Sequence, residues 1–125
     1  MPDPAKMEAA VHEYVAAFEA GSAERVAALY AENGTVEDPV GTPLKRGQAE
    51  ILEFYGFSMQ TGARLELLGP VRVVEDYAVF PFAVHLNWAG SQKRIDVIDT
   101  FKFDENNKVV EMRAFWGPGN MHDAS

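Results

Sequence analysis

Tyr77-Ala78-Val79-Phe80-Pro81-Phe82-Ala83-Val84-His85-Leu86-Asn87-Trp88 and Arg94-Ile95-Asp96-Val97-Ile98-Asp99-Thr100-Phe101-Lys102-Phe103 are separated only by a short turn beginning Ala89-Gly90-Ser91. Both keep a period of two, and successive side chains of a strand point to opposite faces. In the first, Ala78, Phe80, Phe82, Val84, Leu86 and Trp88 make one almost entirely apolar face. In the second, Ile95, Val97, Asp99, Phe101 and Phe103 share a face, while Arg94, Asp96, Ile98, Thr100 and Lys102 share the other. Asp96 therefore lies among polar neighbours. Asp99 projects into the core, where an ionised carboxylate is costly unless paired. Either a partner neutralises it, or it keeps its proton and becomes a hydrogen-bond donor.

Working outward, Pro81 has no N–H for the ladder and marks an edge position or a bulge. Downstream, Asp104 to Asn107 turn the chain into Lys108–Trp116, where Val110, Met112, Ala114 and Trp116 share a face. Upstream, Arg64–Val74 reads as a strand interrupted near Gly69-Pro70. The first part of the chain has a different period. Met7, Val11, Tyr14, Val15 and Phe18 form the stripe of an amphipathic helix ended by Gly21. Ser22 caps a second helix through about Tyr30, with Glu24 in its first turn and Val26, Leu29 and Tyr30 on its apolar side. Asn33-Gly34 signals a turn before a short extended run, Thr35–Asp38, and Pro39 disfavours helix at Asp38. Val40–Arg46 reads as loop or short strand, and a third helix spans Gly47–Phe57 with Ile51, Phe54 and Tyr55 on one side. Helices followed by a four-strand antiparallel meander predict an α+β fold, with the helices on one face of a curved sheet.

A chain of 125 residues is enough for one domain, 1–125, with a single core. The net charge of −8 argues against nucleic acid or an anionic membrane as partner, since both want a basic patch. No cysteine is present, which excludes disulfides, thiolate nucleophiles and Cys-based metal sites and fits a reducing cytoplasm. Met1-Pro2-Asp3-Pro4-Ala5-Lys6 lacks the pattern of a signal peptide, and no apolar stretch reaches membrane-spanning length. His12, His85 and His122 are far apart with no ligand spacing around them, so no metal site is expected.

Tyr14 is the only hydroxyl on the first helix's apolar stripe, and Tyr30 and Tyr55 lie likewise on apolar sides. Singly, each reads as a core tyrosine whose hydroxyl meets a carbonyl. Together they can form a hydrogen-bonded chain that places donors in a low dielectric. Asp38 ends a short strand before a proline, a place for a turn-forming residue or for a carboxylate facing a cleft. A carboxylate with two neutral donors is the equipment for enolisation. The base removes a proton alpha to a carbonyl while the donors stabilise the enolate oxygen. Asp38 can be that base, with Tyr14 and a protonated Asp99 as donors.

Over nearly its whole length the sequence resembles the bacterial ketosteroid isomerases of the NTF2-like superfamily. The matching pieces are Tyr14-Val15-Ala16-Ala17, Thr35-Val36-Glu37-Asp38-Pro39-Val40-Gly41, Phe54-Tyr55, Val97-Ile98-Asp99 and Met112-Arg113-Ala114. That family is the standard example of a carboxylic acid kept neutral in an apolar site, so the protonated state of Asp99 comes with the resemblance. The resemblance further implies a cone-shaped fold, a homodimer associating through its sheets, no cofactor and a steroid substrate. It implies isomerisation of 3-oxo-Δ5-steroids to conjugated 3-oxo-Δ4-steroids, with Asp38, Tyr14 and Asp99 catalytic and Tyr30 and Tyr55 as a supporting network. Phe54, Phe82, Val84, Met112, Ala114 and Trp116 would form the substrate wall. Trp116, as a bulky apolar neighbour of the base, would disfavour its charged form. The alternatives are an NTF2-like dehydratase or polyketide cyclase, and a non-catalytic small-molecule-binding module of the same fold.

Overall fold

The chain is described by a computed structural model over residues 1–124. Helix α1 (Pro4–Glu19) starts where Asp3 accepts a hydrogen bond from the Ala5 amide and Pro4 takes the first helical position, where an N–H would go unused. Ser22 caps α2 (Ala23–Ala27) through the Arg25 amide. This second helix is shorter than its apolar spacing predicts. The Leu29 carbonyl already accepts from the Val109 amide, and Tyr30 opens strand β1 (Tyr30–Glu37) instead of continuing the helix.

Asn33-Gly34 lies inside β1 and does not reverse the chain. The register against the neighbouring strand shifts between Tyr30 and Thr35, which is a bulge. A Cβ on Gly34 would lie 3.1 Å from the carbonyl oxygens of Ala31 and Val109 and 3.2 Å from the Tyr30 ring. A side chain there would have to push these groups back by a few tenths of an ångström. The remaining elements are β2 (Lys45–Arg46), α3 (Gly47–Gln60), β3 (Arg64–Leu67), β4 (Arg72–Val74), β5 (Tyr77–Trp88), β6 (Ser91–Phe103), β7 (Val109–Phe115) and β8 (Met121–Asp123).

One sheet runs β2-β1-β7-β6-β5-β3, with β4 also on β5 and β8 on β6. It contains the expected meander, extended by strands that the period did not reveal. β1 pairs with β7 in parallel, and every other pairing is antiparallel. A parallel partner some 76 residues away, as Val36 is from Met112, leaves no local turn signal. Three helices pack on this curved, unclosed sheet, so the architecture is the α+β class, although α3 follows the first two strands. α1 packs on β3, β4 and β5, and α3 on β1 and α2.

Two local expectations need correction. Pro81 is neither at an edge nor in a bulge, because β5 lies between β6 and the pair β3 and β4. Those two outer strands leave a gap beside Pro81. The Leu68 amide donates to its carbonyl, and the N–H that proline lacks faces the same gap. In β7 it is Val109, not Val110, that is fully buried, because a register shift pairs Phe103 with Val109. The alternation in β6 is as read. Ile95, Val97, Asp99, Phe101 and Phe103 are all buried in one continuous core with Met7, Val11, Ile51 and Met112.

Candidate active site

Strand register brings the two singled-out carboxylates into line. Glu37 pairs with Arg113, and one residue further Asp38 comes level with Ala114, where the Val40 amide donates to the Ala114 carbonyl at 2.9 Å. Ala114 pairs with Asp99, and Asp99 with Phe80. Asp38, Ala114, Asp99 and Phe80 thus form one row across four strands. At about 4.8 Å per strand, the backbones of Asp38 and Asp99 are roughly 10 Å apart. The smallest side chain of the row stands between the two carboxyls.

The loop after Asp38 is pinned from both ends. Glu37 accepts hydrogen bonds from the Gly41 amide and from Arg113 Nε, each at 2.9 Å. Asp38 itself is half-buried, and Trp116 Nε1–H donates to its Oδ1 at 2.8 Å. Burial raises the Asp38 pKa above the ordinary aspartate value, and the Trp116 hydrogen bond opposes that rise. The expectation for Trp116 is therefore corrected: its indole N–H favours the ionised carboxylate.

Asp99 is the one buried charged residue among those described, at 1% exposure, and neither of its carboxyl oxygens has a hydrogen-bond partner. Its pKa is pushed well above the ordinary value, first by desolvation and then by the charge of Asp38. The nearby Tyr14 hydroxyl opposes the shift without reaching hydrogen-bond geometry. A carboxyl so placed has its charged form disfavoured and both oxygens unengaged.

Tyr14, Tyr30 and Tyr55 are all buried, and desolvation raises each pKa well above 10, so all three are neutral hydroxyls. The Tyr30 and Tyr55 hydroxyls are joined at 2.6 Å. Tyr14 meets Tyr55 edge to face, with ring centroids 6.0 Å apart, and is held by Phe18, Phe80 and Phe101 in the same manner. The three tyrosines are brought together, with one hydroxyl–hydroxyl bond between them.

Tyr14, Asp38, Tyr55 and Trp116 line one part of a cavity of about 230 Å³. Phe54, Phe82 and Val84 line it as expected. Met112 and Ala114 do not; both are buried in the core, at 0% and 1% exposure. Sequence reasoning missed much of the wall: Phe18, Phe57, Ser58, Thr61, Ala63, Leu65, Leu86, Trp88, Ile95, Val97 and Met121. Leu86, Trp88, Ile95 and Val97 were legible, since they lie on the apolar faces of the two alternating strands. Met121 was not. It arrives with β8, which folds back on β6 through Ile95↔Met121 and is tied by an ion pair of Lys93 with Asp123 and by the contact of His122 with Asp96.

The histidines lie outside the cavity, each beside a carboxylate: His12 with Glu8, His85 with Glu66, His122 with Asp96. Among the described residues no three His, Asp or Glu side chains cluster to hold a metal ion, and no helix is long and apolar enough to cross a membrane.

Comparison with known proteins defines the class. Residues 11–112 match the SnoaL-like domain family. A solved epoxide hydrolase/cyclase-like enzyme, SalBIII, described for pyran ring formation in polyether salinomycin, superposes with a TM-score of 0.91. The match covers 99% of this chain and 100% of that one at 24% identity, a likeness of fold. The chain belongs to the SnoaL-like family and has the NTF2-like fold. Within that class it is 44% identical over 117 residues to the Steroid Delta-isomerase of Nocardioides simplex, with 94% of each chain covered. It is a member of the ketosteroid isomerase family, and an isomerase.

Proposed function

We propose that this isomerase converts 3-oxo-Δ5-steroids to their conjugated 3-oxo-Δ4 isomers by moving one proton within the substrate. The Asp38 carboxylate removes a proton from C4 and the C4–H electron pair enters a dienolate. The negative charge gathers on the C3 oxygen, where Tyr14 and protonated Asp99 donate hydrogen bonds. Asp38 then returns the proton to C6, the double bond lies between C4 and C5, and the enzyme is regenerated. The balance closes without a cofactor.

One observation carries this reading: a fully buried carboxyl with both oxygens unpartnered stands in the same strand row as a second, indole-bonded carboxyl on the cavity wall. A carboxyl kept neutral by its apolar site is useful as a donor to a developing oxyanion, because that charge is stronger in the transition state than in the ground state. The family's own precedent for such an aspartate supports the same assignment. Tyr30 and Tyr55 fix the ring against which Tyr14 rests. Phe54, Phe82, Val84 and Trp116 supply the apolar wall.

In this reading the whole chain acts as one domain in the cytoplasm and pairs with a second copy through the outer face of its sheet. There Ile98 and Phe115 are cross-strand partners, 49% and 43% exposed. Nucleic acid and membrane are not partners. A dehydratase or cyclase using a histidine–aspartate pair finds no histidine in the cavity wall. Incubation with a 3-oxo-Δ5-steroid should give the rising ultraviolet absorbance of the conjugated enone. No turnover by folded protein would leave only the fold standing.

A further inference from the structure

Asp38 is the first residue beyond β1. The last pairing of that strand is Glu37↔Arg113, and past it the chain enters a turn through Gly41. In the proposed reaction the Asp38 carboxylate must reach two carbons of one bound substrate, C4 and then C6. A misplacement of about 1 Å at such a group costs on the order of 10²-fold in rate. Segments that leave a sheet are the more mobile parts of a fold, so a base carried there needs its backbone held. The group that holds it stands on the other face of the sheet.

Val36 is fully buried, and by the alternation of β1 Glu37 points away from it, to the outer face. The Glu37 side chain is 18% exposed, and neither it nor Arg113 lines the cavity. Its two carboxylate oxygens serve different parts of the chain. Oε1 accepts from Arg113 Nε on β7, and Oε2 accepts from the Gly41 amide on the far side of the turn, both at 2.9 Å. One side chain thus closes the turn that carries Asp38 and ties it to the neighbouring strand. Gly41 has a φ of 101°, a conformation that suits glycine and lets its amide turn back to Glu37. Within the turn, Thr42 Oγ1 donates to the Pro39 carbonyl at 2.7 Å. The other end of the clamp is fixed as well, because the Arg113 guanidinium lies 5.4 Å from the centre of the Phe115 ring. Hydrogen bonds to an ionised group are about twice as strong as neutral ones. The Gly41 amide and Arg113 hold the Glu37 carboxyl below its ordinary pKa, so the clamp is charged at neutral pH.

We propose that Glu37 is a positioning residue for the base: through Gly41 and Arg113 it sets where the Asp38 carboxylate stands, without touching the substrate. This rests on the steroid isomerase reading above and adds to it a residue outside the cavity. The hydrogen bond from Trp116 Nε1–H to Asp38 reports the position of that carboxylate.

The test uses Glu37→Ala and Glu37→Gln. Glu13→Ala is the control for loss of an ion pair, since Glu13 bonds Arg25 at 2.7 Å between α1 and α2 and does not line the cavity. With a 3-oxo-Δ5-steroid, Glu37→Ala should lower kcat on the order of tenfold to a hundredfold and leave KM within about twofold. Glu37→Gln, whose one amide oxygen serves only one of the two donors, should fall between Glu37→Ala and wild type. Glu13→Ala should keep the wild-type kcat. A second measurement needs no turnover. The indole N–H proton of Trp116, told apart from that of Trp88 in Trp88→Phe, should exchange with solvent faster in Glu37→Ala than in wild type when followed by NMR. If wild-type protein turns over no Δ5 substrate, the isomerase reading fails, while the indole exchange still decides whether Glu37 positions Asp38. Unchanged indole exchange overturns the proposal. So does a kcat per folded molecule near that of wild type, a loss confined to KM, or an equal loss in Glu13→Ala. A kcat deficit that disappears as the protein concentration is raised overturns it too, because Glu37 and Arg113 would then act through a contact between copies.

Discussion

Asp38 and Asp99 share a side chain, a row of the sheet and a face, yet meet opposite surroundings. Asp38 ends a strand at the cavity wall, keeps part of its surface open and receives the Trp116 indole hydrogen. Asp99 stands in mid-strand between Ala114 and Phe80, with no donor to either oxygen. Burial raises both pKa values, but at Asp38 a hydrogen bond to the charged form opposes the rise. At Asp99 the Asp38 charge adds to it. In the proposed mechanism, this difference of environment is what separates two carboxyls two strands apart into a base and a donor.

The comparison can be broken most directly at the base. Asp38→Asn keeps shape and packing but removes the group that takes the proton. Turnover of a 3-oxo-Δ5-steroid should fall by at least about 10²–10⁴-fold, with ligand binding retained. Near wild-type turnover would end the assignment.

Asp99→Leu should lose one oxyanion donor and about 10²–10³ in rate. Its stability carries a second signature. Because the folded pKa of Asp99 is raised, its favourable contribution is full below the unfolded value of 3.8 and is lost as pH rises through the folded pKa. Denaturant midpoints of wild type should therefore decline against those of Asp99→Leu as the pH is raised from about 4 to about 9. Parallel curves would mean that Asp99 ionises as freely in the folded protein as in the unfolded chain.

Trp116→Phe removes the one hydrogen bond that favours ionised Asp38. The acid limb of the kcat/KM profile should move to higher pH, with a loss of up to about tenfold near neutrality. A limb that stayed in place would show that the indole only packs.

The smallest effect is expected farthest from the oxygen to be stabilised. Tyr30→Phe breaks the 2.6 Å bond to Tyr55 and should cost about 1 kcal/mol in stability, read by denaturant melts, with activity within about fivefold of wild type. A loss as large as that of Asp99→Leu would make the tyrosines a single donor unit.

Much of this was legible in the sequence, for reasons tied to distance along the chain. The period of two in β5 and β6 put Asp99 in the core correctly, because alternation is a local property of the strand. The apolar stripe of α1 placed Tyr14 inward for the same reason. Tyr30 was assigned to a helix, since Val26, Leu29 and Tyr30 keep helical spacing; the competing hydrogen bond from Val109 comes from the far end of the chain. Gly34 looked like a turn, because its close approach to the Val109 carbonyl is a tertiary contact. Met112 and Ala114 were assigned to the cavity by resemblance, and how deep a residue lies below the cavity wall is not written in β7 itself.

The sequence by itself determined the class of fold, the apolar face and the misfit of Asp99 on it, because period and polarity need only neighbouring residues. The tertiary structure alone decided that Asp38 comes level with Asp99 through a parallel pairing of β1 with β7. It also decided that the Trp116 N–H meets Asp38 and that β8 folds Met121 back over the cavity. These depend on register between distant strands, which burial of the shared core selects and no local stretch encodes.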